Sequence, residues 1–318
     1  MPAMHRVLVT GMGPISPVGI GREDFWQGLD QGRDGRLPPQ LVPAPPQAVT
    51  MVAECLDFVV EDYLSSEKTY LDRCSEMVLA ACSLAFDDAG LDWSALDGEL
   101  LGLAVGTAYG CLDSMANVTS RVQSKGVRFA SPMIFTHSFT NSPVSLAAIE
   151  YGVRGPAAAL CTGDTSAGAA LQYALDLVRW GRAEVMLAGG ADALSASLLQ
   201  ALDATGPHRD VTPGEGACLF VLESEKAARR RGANILAELL DVALSDSGQA
   251  AIGLEQAGHT LERYSTVETY GHTFGASLAL ELAEAMRELP TDPSAAGYIV
   301  TVDDPGGRSA AAAVRRYH

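Results

Sequence analysis

The chain lacks a long apolar run, paired cysteines and an excess of positive charge, and each absence removes a class of function. No apolar stretch is long enough to span a bilayer. The start, MPAMHRVLVTGMG, enters a strand at once and lacks the apolar core and small-residue cleavage site of a signal peptide. A cytoplasmic protein is therefore expected. The cysteines are Cys55, Cys74, Cys82, Cys111, Cys161 and Cys218. None forms a C-x-x-C pair and their spacing carries no metal signature, so no metal or other cofactor is expected. Most lie in apolar runs and read as buried, reduced thiols. Lys and Arg number 22 against 39 Asp and Glu, for a formal net charge of −17. Such a surface repels phosphate backbones and acidic membranes, which argues against nucleic-acid binding. The glycines of TGMGPISPVG lack the G-x-G-x-x-G register and a following acidic residue, so they read as a tight turn after a buried strand.

What is present is ample apolar material: 318 residues, 47% of them hydrophobic, enough for a large core in one domain or two fused halves. Strands are expected at residues 5–13, 101–106, near Leu160, and at 184–188, 217–223, 235–243 and 298–302. Helices are expected at 22–32, 71–90, 141–152, 165–180, 225–231 and 275–289. Arg36 to Pro46 is proline-rich and reads as an extended surface loop. The alternation implies a mixed α/β layered fold with buried sheets. The opening strand and the strand near Ile235 could each start one half of a duplicated fold, dividing the chain into 1–234 and 235–318.

The stretch from Gly155 to Ala193, GPAAALCTGDTSAGAALQYALDLVRWGRAEVMLAGGADA, stands out. It runs from a small-residue strand through a sharp Thr-Gly-Asp-Thr-Ser turn into a helix, then an apolar strand ending in Gly-Gly. Such a turn presents one side chain at a helix N-terminus, where free N–H groups and the dipole favour an anion or a polarised carbonyl. An enzyme would place a thiolate for acyl transfer there. This chain places Asp164 there.

Several motifs in series resemble the condensing enzymes of the thiolase superfamily, specifically the β-ketoacyl-[acyl carrier protein] synthases. They are VLVTGMGPISPVG near the start, DAGL at Asp88–Leu91, GTAYG with Gly106 and Thr107–Gly110, and GVRGP at Gly152–Pro156. The series continues with EVMLAGGADA at Glu184–Ala193, PGEGACLFVLES at Pro213–Ser224 and GHTFGA at Gly271–Ala276. The resemblance implies a thiolase-like α-β-α-β-α fold whose second half is truncated. The chain is short by roughly a fifth for a full member, with the losses after Ala193 and between Ala243 and Val267.

Departures from the family pattern bear on function. The family turn T-A-C-x-S-G reads Thr162-Gly163-Asp164-Thr165-Ser166-Ala167 here. A carboxylate is a poor acyl acceptor, and it would repel a developing oxyanion. The histidine of the family's H-G-T-G-T-P motif has no counterpart. The second histidine matches His272, while Val267 stands where the family has Lys. The C-terminal G-F-G-G-T-N loop is reduced to Asp304-Pro305-Gly306-Gly307-Arg308. The resemblance thus implies no catalytic residues of its own, with Asp164 at the lost nucleophile position, filling it and capping the next helix. His272 is either a hydrogen-bonding remnant or a structural histidine. Cys161 reads as a small buried core thiol rather than a relocated nucleophile. His137 and His208 read as surface or structural. The cluster Lys226, Arg229, Arg230 and Arg231 reads as a basic helix end favoured by the macrodipole, with acyl-carrier docking as its functional alternative.

By the same resemblance, Tyr109 occupies the position gating the acyl tunnel. Met133, Ile134, Phe135 and Phe139 belong to a segment that packs across the dimer axis and lines the partner's pocket. The strand Ala157, Ala158, Ala159, Leu160 and Cys161 pairs across that axis. The implied function is a non-catalytic chain-length-factor subunit of a type II polyketide synthase, handling reduced or polyene chains. Its expected partners are an active ketosynthase in a heterodimer and, mainly through that partner, an acyl carrier protein. The chain would then be part of a β-ketoacyl synthase complex without being an enzyme alone. The alternatives are a malonyl decarboxylase or thioesterase acting through Asp164 and His272, and a pure scaffold.

Overall fold

The computed structural model describes residues 4–66, 68–205, 211–259, 261–266, 268–290 and 297–317. Among these the strands are β1 (Val7–Ser16), β2 (Gly19–Ile20), β3 (Arg36–Leu37), β4 (Val52–Ala53), β5 (Leu101–Gly106), β6 (Ala157–Leu160), β7 (Val185–Asp192), β8 (Gly216–Ser224), β9 (Ala237–Ser245), β10 (Glu262–Arg263), β11 (Tyr298–Asp303) and β12 (Ser309–Arg315). The helices are α1 (Arg22–Asp30), α2 (Arg73–Asp88), α3 (Leu112–Lys125), α4 (Pro132–Thr136), α5 (Ser142–Glu150), α6 (Ser166–Arg179), α7 (Ala196–Thr205), α8 (Glu225–Arg231), α9 (Ala250–Gln256) and α10 (Ser277–Arg287).

The main strands form one hydrogen-bonded series in the order β10-β11-β12-β9-β1-β8-β7-β5-β6. Two runs within it share a pairing pattern. In one, β5 and β7 pair parallel, β7 and β8 antiparallel, and β8 and β1 antiparallel. In the other, β10 and β11 pair parallel, β11 and β12 antiparallel, and β12 and β9 antiparallel. The runs meet where Val7–Val9 of β1 pairs antiparallel with Ala237–Leu239 of β9. The first run extends to β6, whereas the second ends, among the described residues, at the two-residue β10.

The apolar parity of the strands sets the layers. Val7, Val9, Met186, Ala188, Phe220 and Leu222 join residues of α6 and α10 in one core, which Val300, Val302, Ala310 and Ala312 close from the other side. The opposite face of the first run, with Leu101, Leu103, Leu187, Leu219 and Val221, packs on α2. The opposite face of the second, with Ile299, Ala311 and Ala313, packs on α9. The result is the α-β-α-β-α arrangement. Strands covered on both faces carry continuous apolar runs instead of alternation, as VLVTGMGPIS and GACLFVLES do.

Small residues let α6 reach the strand ends. A Cβ on Gly106 would lie 2.2 Å from the Ser166 carbonyl, and one on Gly190 would lie 2.9 Å from Ala167 Cβ. Those close approaches seat the helix N-terminus at the ends of β5 and β7. The proline-rich loop is less free than its composition implies. The buried Glu54 carboxylate accepts the backbone N–H groups of Gln40, Leu41 and Val42, and Val42 is buried.

Candidate functional site

The turn between β6 and α6 is held by its own hydroxyls. Ser166 Oγ accepts the Thr162 N–H at 2.9 Å and lies 2.6 Å from the Gly163 carbonyl. Gly163 sits at φ +67°, the left-handed region that glycine tolerates best. This conformation turns Asp164 inward, where it is 2% exposed. His272 Nε2 lies 2.9 Å from Asp164 Oδ2, so the two singled-out residues meet as a direct side-chain pair. His272 is placed by backbone pairing: its N–H donates to the Thr212 carbonyl, and its carbonyl accepts the Gly214 N–H, both at 2.8 Å.

The helix-capping role expected of Asp164 is not what the turn uses. The N-cap of α6 is Thr165, without a side-chain cap hydrogen bond. The Asp164 side chain points to His272 because the imidazole stands within direct reach. Cys161 is also corrected. It is exposed, while the other five cysteines are buried. β6 pairs only with β5 and forms the edge of the sheet among the described strands, so no described strand covers the residue that follows it.

The loop Asp304–Arg308 joins β11 to β12 and folds over the turn. Asp304 Oδ2 accepts the Asp164 N–H at 3.3 Å and Arg308 Nη2 at 2.8 Å, while Oδ1 accepts the Gly306 N–H at 2.7 Å. Burial pushes the Asp304 carboxyl up. The Gly306 N–H, the Arg308 guanidinium and the Asp164 N–H outweigh it and hold the group below the usual carboxylate range. Tyr109 completes the cluster. Burial, with the carboxylates of Asp164, Asp192 and Asp304, pushes its phenol up to about 12. Its ring stands edge-on to Phe274 at 5.2 Å, and Phe274 stands edge-on to His272 at 5.0 Å. Phe274 is fully buried at φ +50°, a strained backbone for a bulky residue.

Sequence reasoning missed Phe274, and it missed Asp192. That carboxylate is fully buried at the end of β7 and accepts Thr107 Oγ1, the N–H groups of Ala108 and Tyr109, and the Gly275 N–H, at 2.7–2.9 Å. It ties the strand ends to the His272–Phe274 segment. The available signal was an acidic residue closing an apolar strand, within GGADA. A cavity of about 120 Å³ opens beside His272, lined in part by Thr212, Tyr270 and Ser277. A second, of about 190 Å³, lies between Asp72, Arg73, Leu112 and Leu194.

The remaining expected residues lie outside this cluster. Met133, Phe135 and Phe139 are exposed on and just after α4, with Ile134 half-buried; Phe135 and Phe139 stack edge-to-face at 4.9 Å. Phe129 and Ile149 are further exposed apolar residues, at 60% and 77%. Along the edge strand Ala157 is exposed, and Ala158, Ala159 and Leu160 are half-buried. The basic helix end is ion-paired: Arg229 to Glu225, Arg230 to Glu184 and Arg231 to Glu223. His137 is half-buried, with its Nδ1 buried and unpaired. Val267 and His208 lie outside the described residues. Among the described residues no group of His, Cys, Asp and Glu could hold a metal, and no helix is long and apolar enough to cross a membrane.

Residues 4–228 match the model of the β-ketoacyl synthase N-terminal domain. The chain is 30% identical over 286 residues to the tetracenomycin polyketide synthase ketoacyl synthase alpha subunit of Streptomyces glaucescens, covering 81% of this chain and 67% of that protein. It is 29% identical over 315 residues to 3-oxoacyl-[acyl-carrier-protein] synthase 2 of Vibrio harveyi, covering 93% of this chain and 72% of that one. Among solved structures, the ishigamide ketosynthase/chain length factor superposes with a TM-score of 0.86 at 24% identity, over 99% of this chain and 100% of that one. A type II polyketide ketosynthase in complex with its acyl-carrier protein gives 0.79 at 20%, over the same shares. These structural likenesses establish the fold. The domain match over most of the chain and the 30% identity over 81% of it establish kinship: the chain belongs to the β-ketoacyl synthase family.

Proposed function

We propose that this chain is a non-catalytic, chain-length-factor-like subunit that pairs with an active ketosynthase in a type II polyketide synthase. One observation carries the reading. At the turn where acyl transfer needs a thiolate, a buried carboxylate stands paired to the remaining histidine. An acyl group on that carboxylate would be a mixed anhydride, and no thioester would transfer to it favourably. The partner then supplies the nucleophile, the decarboxylating histidines and most of the carrier-protein docking. The edge strand β6 and the apolar surface around α4 support the pairing, because both are features that a second chain would cover. The likeness to a ketosynthase/chain length factor points the same way. In this reading Tyr109 and the α4 residues shape the tunnel.

The test is co-expression with a ketosynthase carrying the full Cys-His-His set. The expected result is a stable heterodimer whose product formation requires this chain. The Asp164–His272 pair is also the observation that favours the rival, a hydrolase or decarboxylase using it as a general base. Turnover of malonyl or acyl carrier thioesters by the isolated chain would establish the rival and sink the subunit reading.

A further inference from the structure

We propose that Asp304, clamped by Arg308, occupies the seat of the thioester carbonyl in this chain, so that an acyl group is excluded from the turn by the protein's own carboxylate. Only the apolar tail of a substrate then enters this subunit, and its thioester head stays on the partner. That second statement rests on the subunit reading above; the first does not.

The geometry is as follows. In a strand–turn–helix site the backbone N–H of the residue at the nucleophile position is a natural donor to an acyl oxygen. A nucleophile's own N–H can form part of the oxyanion hole, where negative charge develops. Here that N–H belongs to Asp164, and Asp304 Oδ2 accepts it at 3.3 Å. The carboxylate and guanidinium lie against the preceding peptide: a Cβ on Gly163 would come within 2.3 Å of Asp304 Oδ2 and 2.7 Å of Arg308 Nη2, so the space beside the turn is taken by this pair. Asp304 is also held from its own side, by Gly306 N–H, by Arg308 and by its backbone hydrogen bonds to Arg308 and Gly307, all at 2.7–2.8 Å. Its side chain is 8% exposed. An arriving thioester would have to displace this carboxylate, and its oxyanion would then develop beside two negative groups, Asp164 and Asp304. The loss of the thiol and the filling of the carbonyl seat are separate changes, and either alone would stop acylation.

The experiment introduces a nucleophile and asks whether the seat limits it. In the full chain, Asp164→Cys places a thiol within reach of His272, which can take its proton. Hexanoyl N-acetylcysteamine thioester is the probe. The thiolate attacks the carbonyl, a new C–S bond forms, and N-acetylcysteamine leaves as its thiol with the proton. Exposed Cys161, three residues upstream, is the internal reference, and fragment-ion mass spectrometry assigns the acyl group to either sulfur. With Asp304 intact, the introduced thiol should acylate no faster than Cys161. Adding Asp304→Ala should raise that ratio at least tenfold, and Asp304→Asn, which keeps an acceptor but no charge, should raise it less. Rapid acylation with Asp304 intact, or a ratio unchanged within twofold in both double variants, would overturn the proposal. A second readout avoids the introduced thiol. Asp304→Ala alone should speed amide exchange of the peptide carrying the Asp164 N–H at least tenfold, and unchanged protection would equally count against it. Neither readout involves a partner or a product, so this proposal and the subunit reading can fail independently.

Discussion

Asp192 is a carboxylate with no exposure and four donors turned on it, from Thr107, Ala108, Tyr109 and Gly275. Removing it would leave those donors buried and unpaired, at about 1–3 kcal/mol each before relaxation. Asp192→Ala should therefore cost on the order of 3–5 kcal/mol at acidic pH, measured by chemical denaturation. The pH dependence has a definite sign. Burial pushes the Asp192 carboxyl from 3.8 up to about 6 despite the donors, so the folded chain holds its proton more tightly than the unfolded chain. The stability contributed by Asp192 is then greatest below about pH 4 and diminishes as pH rises through 6. The gap between the natural chain and the variant should narrow over that window, and a gap widening toward pH 7 would contradict the assignment. Asp192 was not legible as a hub, because its donors come from segments far apart in sequence. Asp164 and His272 were both legible as residues of interest, but their direct contact was not. Only the fold brings a residue 108 positions away to 2.9 Å.

Among the elements, β6 is both the best placed for the proposed partner and the easiest to test. The carbonyls of Pro156 and Leu160 accept the N–H groups of Leu103 and Thr107, so these positions face β5. By the alternation of a strand, the backbone groups of Ala157, Ala159 and Cys161 face outward. Proline at an outward-facing edge position removes a donor from any added strand while sparing the pairing to β5. Ala159→Pro should therefore leave the thermal unfolding midpoint of the isolated chain within a few degrees and abolish co-purification with a ketosynthase. Retained co-purification would show that β6 is not the pairing edge. Most elements of the first run were readable from periodicity and Gly stops, as α2 and β5 illustrate. The second run was harder. β12 is an alanine run, SAAAAVR, whose intrinsic preference is helical; it is a strand because helices press on both faces and only small side chains fit. Helix α3 buries only Val118. The pairing repeat supports our proposal that the halves divide at 234/235.

At the scale of the whole molecule the two runs of sheet are fastened at one buried carboxylate. Glu238 in β9 is 4% exposed; it accepts Arg6 Nε and Nη2 at 2.8 and 2.7 Å, beside the start of β1, and Arg315 Nε at 2.9 Å at the end of β12. It sits in the Val7–Val9 and Ala237–Leu239 register, where the runs meet. Burial pushes Glu238 up, but the Arg6 and Arg315 guanidiniums outweigh it and hold the carboxyl below its ordinary 4.5. A depressed carboxyl contributes stability above its unfolded value and loses it as pH falls through its folded one. Glu238→Gln should therefore destabilise the chain near neutral pH. The cost should be about 1–2 kcal/mol, less than for a fully desolvated pair, because the Arg6 and Arg315 side chains are 39% and 45% exposed to water. The difference between the two proteins should shrink as pH falls below 4.5, the reverse of Asp192, and denaturant midpoints at matched pH read both. If the runs act as one cooperative body through this joint, the variant should still unfold in a single transition at a lower midpoint. If the joint is what couples them, the transition should split, with exchange of β11 and β12 amides outpacing that of β5 and β7.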